Sequence, residues 1–264
     1  MNYILDHLSV MTRQKGPKDV MIRNVNTVES QLPSLTDQKQ YWDQRWTATS
    51  LPNEWQLRRG ETLRRMLLNL PLAQPTILDF GCGTGWFAHQ LSHIAEVTAI
   101  DLSEAAIEIA KSLYPNVNFI AHDLFQMSLP TEYYDVVVSQ EVIAHVENQK
   151  EYLERCASVL KPRGYLLITT ANKFVMDRLG WPESHGHIHQ YLNMRRFKHI
   201  LHDRFSVLHS TSIIPIGNRS ILRLVNSYNL NAVARRFLSP DIIQRLKERA
   251  GLGYSLVALG QKKS

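Results

Sequence analysis

The sequence predicts a doubly wound α/β domain, and three observations carry that expectation. Short β-rich runs alternate with helical patterns from residue 76 onward. The runs hold continuous apolar stretches, such as Val136–Val138 and Leu166–Ile168, instead of alternating strictly with polar residues. The first of them leads into a loop of three glycines, Gly81, Gly83 and Gly85, that opens a helix. Strands that are apolar on both faces need cover on both faces, the condition of a parallel sheet with right-handed crossover helices on either side.

The elements follow in order. Residues 1–38 are polar, with turn signals at Gly16-Pro17 and around Pro33, and read as a mobile N-terminal arm; residues 39–264 then form a single domain. Residues 37–46 are expected to be a short helix that gathers Tyr41, Trp42, Arg45 and Trp46. A stronger helix follows, with Leu63, Met66, Leu67 and Leu70 at three- and four-residue spacing before Pro71 ends it.

Strands are expected over 76–80, 97–102, 116–124, 134–140 and 165–170, with helices over 86–94, from Ser103 as cap, and over 148–160. In the last third, 205–216 and 253–261 read as strands that close the sheet as an antiparallel pair. Two stretches, 171–204 and 217–249, read as insertions; the second is helical and rich in Arg.

Composition sets the limits. With 44% hydrophobic and 20% charged residues, disorder and fibrous repeats are excluded. No apolar run approaches the ~18 residues of a membrane span. Asp6 and His7 interrupt the apolar stretch at the start, so it does not read as a signal peptide, and a cytoplasmic location is expected. Two cysteines, Cys82 and Cys156, make no disulfide framework. The formal charge of +6 is uneven: residues 1–170 hold 15 Lys and Arg against 19 Asp and Glu, whereas residues 171–264 hold 15 against 5. The basic third points to an anionic acceptor or surface.

The glycine loop is the most informative stretch. Strand 76–80 runs into Gly81, Gly83 and Gly85, and Trp86 begins a helix, so backbone N–H groups can approach a ligand closely. The spacing G-x-G-x-G places Trp86 where a dinucleotide fingerprint needs its third glycine, which argues against an NAD-dependent oxidoreductase. A ligand-free tight turn is the plainer alternative, though three glycines weaken the elements they join. Asp101 ends the second strand 16 residues after Gly85, where its carboxylate can accept both hydroxyls of a ribose.

At these residues the chain resembles the class I S-adenosylmethionine-dependent methyltransferases. ILDFGCGTG is similar to their first motif, AIDLS to the acidic motif after the second strand, AHDL to the third-strand motif, and YYDVVVSQEVIAHVEN to the fourth. The resemblance implies a Rossmann-like sheet of order 3-2-1-4-5-7-6 with strand 7 antiparallel. It also implies S-adenosyl-L-methionine as cofactor and S-adenosyl-L-homocysteine as product. Asp79, Gly81, Cys82, Gly83, Asp101 and Leu102 would contact the methionine and ribose parts, and Asp123 and Leu124 the adenine. Trp42, Arg45 and Gln140 would complete the cofactor site, with the aromatic helix over it as a lid.

Ubiquinone-biosynthesis-like small-molecule O-methyltransferases, which commonly read E-V-x-E-H-V after strand four, resemble the chain best. Here Ala144 replaces the middle carboxylate, so no metal is expected. SQEV stands where base-amino methyltransferases carry N-P-P-Y, so nucleic acid is not expected as acceptor.

A hydroxyl acceptor benefits from a general base, and His145 is the expected catalytic residue, with Glu141 one helical turn before it. The plainer reading of His145 is a histidine bonded to backbone. Glu141, His185, His187 and His189 are the expected substrate residues; at alternate positions of a strand the three histidines would share a face. Packing or a metal are the other readings of that trio. The expected activity is methyl transfer to a small molecule, with a hydroxyl oxygen as the expected acceptor atom. The competing readings are a lipid, quinone, RNA or protein acceptor, contact of the basic segment with a membrane surface, and a non-catalytic binding module.

Overall fold

A computed structural model describes residues 32–48, 51–180 and 187–264. They form a seven-stranded sheet of order β3-β2-β1-β4-β5-β7-β6. β1 (Thr76–Phe80), β2 (Glu96–Asp101), β3 (Asn118–Ala121), β4 (Tyr134–Gln140) and β5 (Leu160–Ala171) run parallel. β7 (Gly253–Lys262) lies antiparallel between β5 and β6 (Phe205–Pro215). This is the topology that the resemblance implies.

Alternate residues of the central strands feed two separate cores. Leu78, Phe80, Val137, Leu166 and Ile168 enter one, where α5 (Gln149–Val159) and α7 (Met194–Leu201) supply Tyr152, Cys156, Phe197 and Ile200. Ile77, Val136, Val138 and Leu167 enter the other, against α2 (Glu54–Leu68), α3 (Trp86–Ser92) and α4 (Glu104–Leu113). Tyr152 is fully buried and donates its hydroxyl to Ser139 Oγ at 2.7 Å, so its ring packs without orphaning its polar end. Truncating such an aromatic costs about 3–5 kcal/mol.

Side-chain caps fix the helix starts. Asn53 and Gln56 form a capping box on α2, Ser103 accepts the Ala106 amide at the head of α4, and Asn148 and Asn193 cap α5 and α7. α1 (Leu35–Ala48) starts before residue 39, because Ser34 and Asp37 exchange bonds that satisfy its first amides. Residues 1–31 of the expected arm lie outside the described residues.

Two strands differ from expectation. β3 is shorter, because Asp123 Oδ1 accepts the Phe125 amide and its carbonyl accepts those of Gln126 and Met127, turning the chain away from the sheet. β5 begins at Leu160, five residues early. The Lys161–Gly164 stretch stays extended through a register shift opposite Tyr134 and Val136, with Arg163 at a φ of +61°.

The first insertion holds α6 (Lys173–Leu179) and α7; the second holds α8 (Ser220–Val225), α9 (Tyr228–Ala234) and α10 (Pro240–Arg249). Among the described residues no helix is long and apolar enough to cross a membrane.

Candidate functional site

The glycine loop sits at the carboxyl end of β1, clasped by the end of β2. The amides of Gly81 and Cys82 donate to the Ile100 carbonyl at 2.8 and 3.1 Å, and the Gly83 amide donates to Asp101 Oδ2 at 2.7 Å. Gly81 and Gly83 have φ of +75° and +54°. A Cβ on Gly81 would stand 2.2 Å from Val142, and one on Gly83 2.8 Å from the Trp46 ring. Both the turn and the cover over it therefore require glycine.

Asp101 takes the Gly83 amide on one oxygen and the Ser103 amide, at 2.9 Å, on the other. Burial raises its pKa, and these amides oppose the rise. Each oxygen keeps a lone pair for a further donor. Asp79, on β1, is 1% exposed and its Oδ2 has no hydrogen-bond partner among the described residues. Burial, and then the charge of Asp101, push its pKa up to about 7. Cys82 is buried, and burial raises its thiol well above the ordinary value, which favours the neutral form.

Leu102, half-buried, follows Asp101. Asp123 and Leu124 follow β3. Arg155 of α5 donates to the carbonyls of Leu124 and Met127 and so holds this loop. Gln140 ends β4 in register with Thr169 of β5. These positions share the carboxyl edge of the parallel strands, where ligands of open α/β sheets bind.

α1 has no fully buried residue. Polar bonds and rings hold it over this edge: Lys39 pairs with Glu104 at 2.6 Å, Asp43 Oδ1 accepts the Ser103 hydroxyl, and Trp46 rests on Gly83. Tyr41 stacks on His187 with centroids 4.1 Å apart, and the Trp42 ring meets that of His145 edge-on at 5.0 Å. Arg45 is exposed on the same helix.

His145 closes a single 3-10 turn, Ile143–His145. Its Nδ1 is 2.7 Å from the Ile188 carbonyl. A carbonyl only accepts, so Nδ1 carries the proton and Nε2 keeps the lone pair. Burial lowers the imidazole pKa to about 4, so the ring is neutral at pH 7. Gln190 N donates to the Ala144 carbonyl, and Gln149 bridges the carbonyls of Ile143 and Gln190. The turn and the 187–191 segment are thus clamped together. His187 is buried 5.0 Å from His145 and 5.3 Å from His189, ring to ring. His185 lies outside the described residues.

Glu141 is not a helical turn from His145. It adopts a φ of +61°, and its carboxylate turns toward β5 and β7, accepting from Thr169 Oγ1 at 3.0 Å and Ser255 Oγ at 3.2 Å. Arg59 of α2, 8% exposed, faces it at 3.6 Å. Tyr254 belongs to this group: burial raises its phenol, Glu141 adds to the rise, and Arg59 and Arg45 oppose it. Tyr191 is likewise raised by burial, then by Tyr41 and Glu141. Arg59, Tyr191 and Tyr254 escaped the sequence reading. The available signal was Arg59 four residues before Leu63, an arginine on the apolar stripe of α2.

Among the described residues, no three His, Cys, Asp or Glu side chains converge as a metal site. The orphaned Asp79 oxygen beside the amide-fixed Asp101 suits a ligand that brings a cation on one side and a diol on the other.

The chain is similar to known proteins over parts of its length. Residues 78–168, about a third of the chain, match the family model described as a methyltransferase domain. A Mycobacterium tuberculosis protein described as a "probable S-adenosylmethionine-dependent methyltransferase" is 36% identical over 102 residues, 38% of this chain and 37% of that protein. A ubiquinone biosynthesis O-methyltransferase from Coxiella burnetii is 27% identical over 153 residues, 56% of this chain and 64% of the relative. The chain thus spans less than two thirds of these relatives. The N-methyltransferase NodS of Bradyrhizobium japonicum, solved with S-adenosyl-L-homocysteine, superposes with a TM-score of 0.60 at 17% identity. That match covers 86% of this chain and all of NodS. A Pyrococcus horikoshii protein shares the fold at a TM-score of 0.59 and 18% identity, over 85% of this chain and 99% of that one.

Proposed function

We propose that this chain, which carries the fold and motifs of the class I S-adenosylmethionine-dependent methyltransferases, transfers a methyl group from S-adenosyl-L-methionine to a small-molecule acceptor. The acceptor atom in this reading is a hydroxyl oxygen. The observation that carries it is the 2.7 Å bond from the Gly83 amide to Asp101, which locks loop and carboxylate into one cradle. Asp101 would accept the ribose hydroxyls and Asp79 would pair with the methionine ammonium, which answers its orphaned oxygen. Gly81, Cys82 and Leu102 would line the same cradle. Asp123 and Leu124, on the loop held by Arg155, would take the adenine, with Gln140 at the floor and Trp42 and Arg45 on the covering helix.

S-adenosylmethionine supplies, when bound, a sulfonium methyl group open to in-line displacement. The protein's part is to position the acceptor and exclude water. Tyr41, Trp42 and Trp46 provide an apolar cover. His145 accepts the acceptor hydroxyl's hydrogen bond at Nε2. With a pKa of about 4 it is a weak base toward a free alcohol, yet the oxygen becomes strongly acidic as its new C–O bond forms, and Nε2 suffices to take that proton. His187 and His189, with Tyr191, would line the acceptor's path, and Glu141 would act through its bonds to Thr169, Ser255 and Arg59. The Coxiella relative's name supports oxygen as the target.

The test is transfer of labelled methyl from S-adenosylmethionine into fractionated small metabolites, beside thermal shift with S-adenosylhomocysteine and with NAD. Stabilisation by S-adenosylhomocysteine that Asp101→Ala removes supports the cradle. Stabilisation by NAD alone would sink the reading, and label appearing in RNA or protein would redirect the acceptor.

A further inference from the structure

The segment from α8 to α10 presents apolar side chains to solvent. Phe237 is 82% exposed, Tyr228 79% and Leu224 61%, and Leu230, Ile242 and Leu246 are exposed beside them. Residues 217–250 also carry seven Lys and Arg against two Asp and Glu, and Glu248 is engaged by Arg58 at 3.5 Å. Arg223, Arg235, Arg236, Arg245 and Arg249 form no ion pair with a carboxylate of the described residues.

We propose that this face docks on an anionic lipid surface, its aromatic and aliphatic side chains entering the interface and its arginines meeting the headgroups. On α10, Ile242 and Leu246 share one face, flanked by Arg245 and Arg249, the amphipathic arrangement of an interfacial helix. On α8, Ile221 and Leu224 are exposed while Leu222 is buried, so the helix is anchored by one side and free on the other. Burial, and then repulsion from Arg235, lower the Lys247 pKa. An anionic surface relieves that repulsion, whereas a second copy of the same basic face would add to it.

The face is joined to the candidate site. Asn172, at the end of β5, donates to the carbonyls of Gly251 and Gly253, immediately before Tyr254, and Ser212 of β6 donates to the Glu248 carbonyl. Docking on lipid would thus place the acceptor end of the sheet near the bilayer. The proposal itself does not depend on methyl transfer.

The experiment is co-sedimentation of the full chain with vesicles of phosphatidylcholine alone and with added phosphatidylglycerol, over a range of salt. Binding to the anionic vesicles, weakened by salt, is expected. The Arg235→Glu/Arg236→Glu variant should lower partitioning roughly tenfold or more. Phe237→Ser should lower it several-fold. Circular dichroism and S-adenosylhomocysteine binding serve as controls that both variants fold. Equal sedimentation with both vesicle types would overturn the proposal, as would folded variants that bind as well as the wild type. Self-association by sedimentation velocity that Phe237→Ser abolishes would overturn it in favour of a second copy.

Discussion

Asp43 Oδ1 accepts the Ser103 hydroxyl at 2.6 Å, and that same hydroxyl accepts the Ala106 amide at 3.0 Å. A side chain of α1 therefore completes the N-cap of α4, two residues beyond Asp101. The covering helix and the proposed ribose-binding carboxylate are coupled through one serine.

Asp43→Ala should loosen α1 without unfolding the sheet. The lost bonds are worth about 1 kcal/mol. Limited proteolysis should cut within Leu35–Ala48 faster than in the wild type, and S-adenosylhomocysteine should bind several-fold more weakly by calorimetry. Unchanged cleavage and affinity would show that the aromatic rings and the Lys39–Glu104 pair hold α1 without Asp43.

Gly85 and Gly251 both have positive φ, +79° and +75°, but different surroundings. A Cβ on Gly85 would stand 2.5 Å from the Phe119 ring, whereas one on Gly251 meets nothing within 4 Å. Gly251→Ala should cost only the backbone strain, about 1–2 kcal/mol. Gly85→Ala adds overpacking of about 1–3 kcal/mol. Denaturant melts of the two variants test this, and equal losses would refute the packing argument.

Asp79 folds with its pKa raised to about 7, so the protonated form is the one the fold favours. Its contribution to stability is complete below about pH 4 and is lost as pH rises toward 7. Asp79→Asn should therefore stabilise the ligand-free protein at pH 8, by on the order of 2–4 kcal/mol relative to pH 4. S-adenosylhomocysteine binding near pH 6.5 should release a proton from the wild type and none from Asp79→Asn. Calorimetry in two buffers of different ionisation enthalpy reads both. Identical proton counts would remove Asp79 from the ammonium site.

His145 shifts the other way. Its pKa falls to about 4 on folding, so it contributes stability above about pH 6.5 that is lost as pH falls toward 4. Because the ring is neutral throughout pH 5–8, kcat should show no inflection near 6.5 due to His145. His145→Ala should lower kcat by about 10²–10⁴-fold at all pH values in that range. An inflection near 6.5 that disappears in the variant would mean that the ring is solvated in the working enzyme.

How much of this was legible beforehand depends on the range of the interaction. β1 and β4 stand where their apolar runs place them, because a strand buried on both faces has no competing pattern. The glycine loop and Asp101 were legible because turn chemistry is local. β3 lost its last residues to an Asx turn at Asp123, a competition between side chain and ladder that spacing does not resolve. Glu141 was misread because a helical turn was assumed where the chain takes a positive φ. Arg59, Glu141, Tyr191 and Tyr254 come from α2, the end of β4, the 187–191 segment and β7. No interval in sequence links them; only the crossing of the sheet brings them together.

The place of β7 sets an order on folding. Its pairing of Gln261 with Tyr165 joins residues roughly a hundred positions apart, while β1, β2 and β4 close through shorter crossovers. Contacts of long sequence separation form slowly, since chain entropy is lost before they reward it. The cradle of Gly83 and Asp101 can therefore assemble early. The Glu141 cluster, which takes Ser255 and Tyr254 from β7, is complete only once β7 has paired. The two halves of the proposed site thus differ in contact range: the cofactor cradle closes between neighbouring parallel strands, and the acceptor side waits on the C-terminal one.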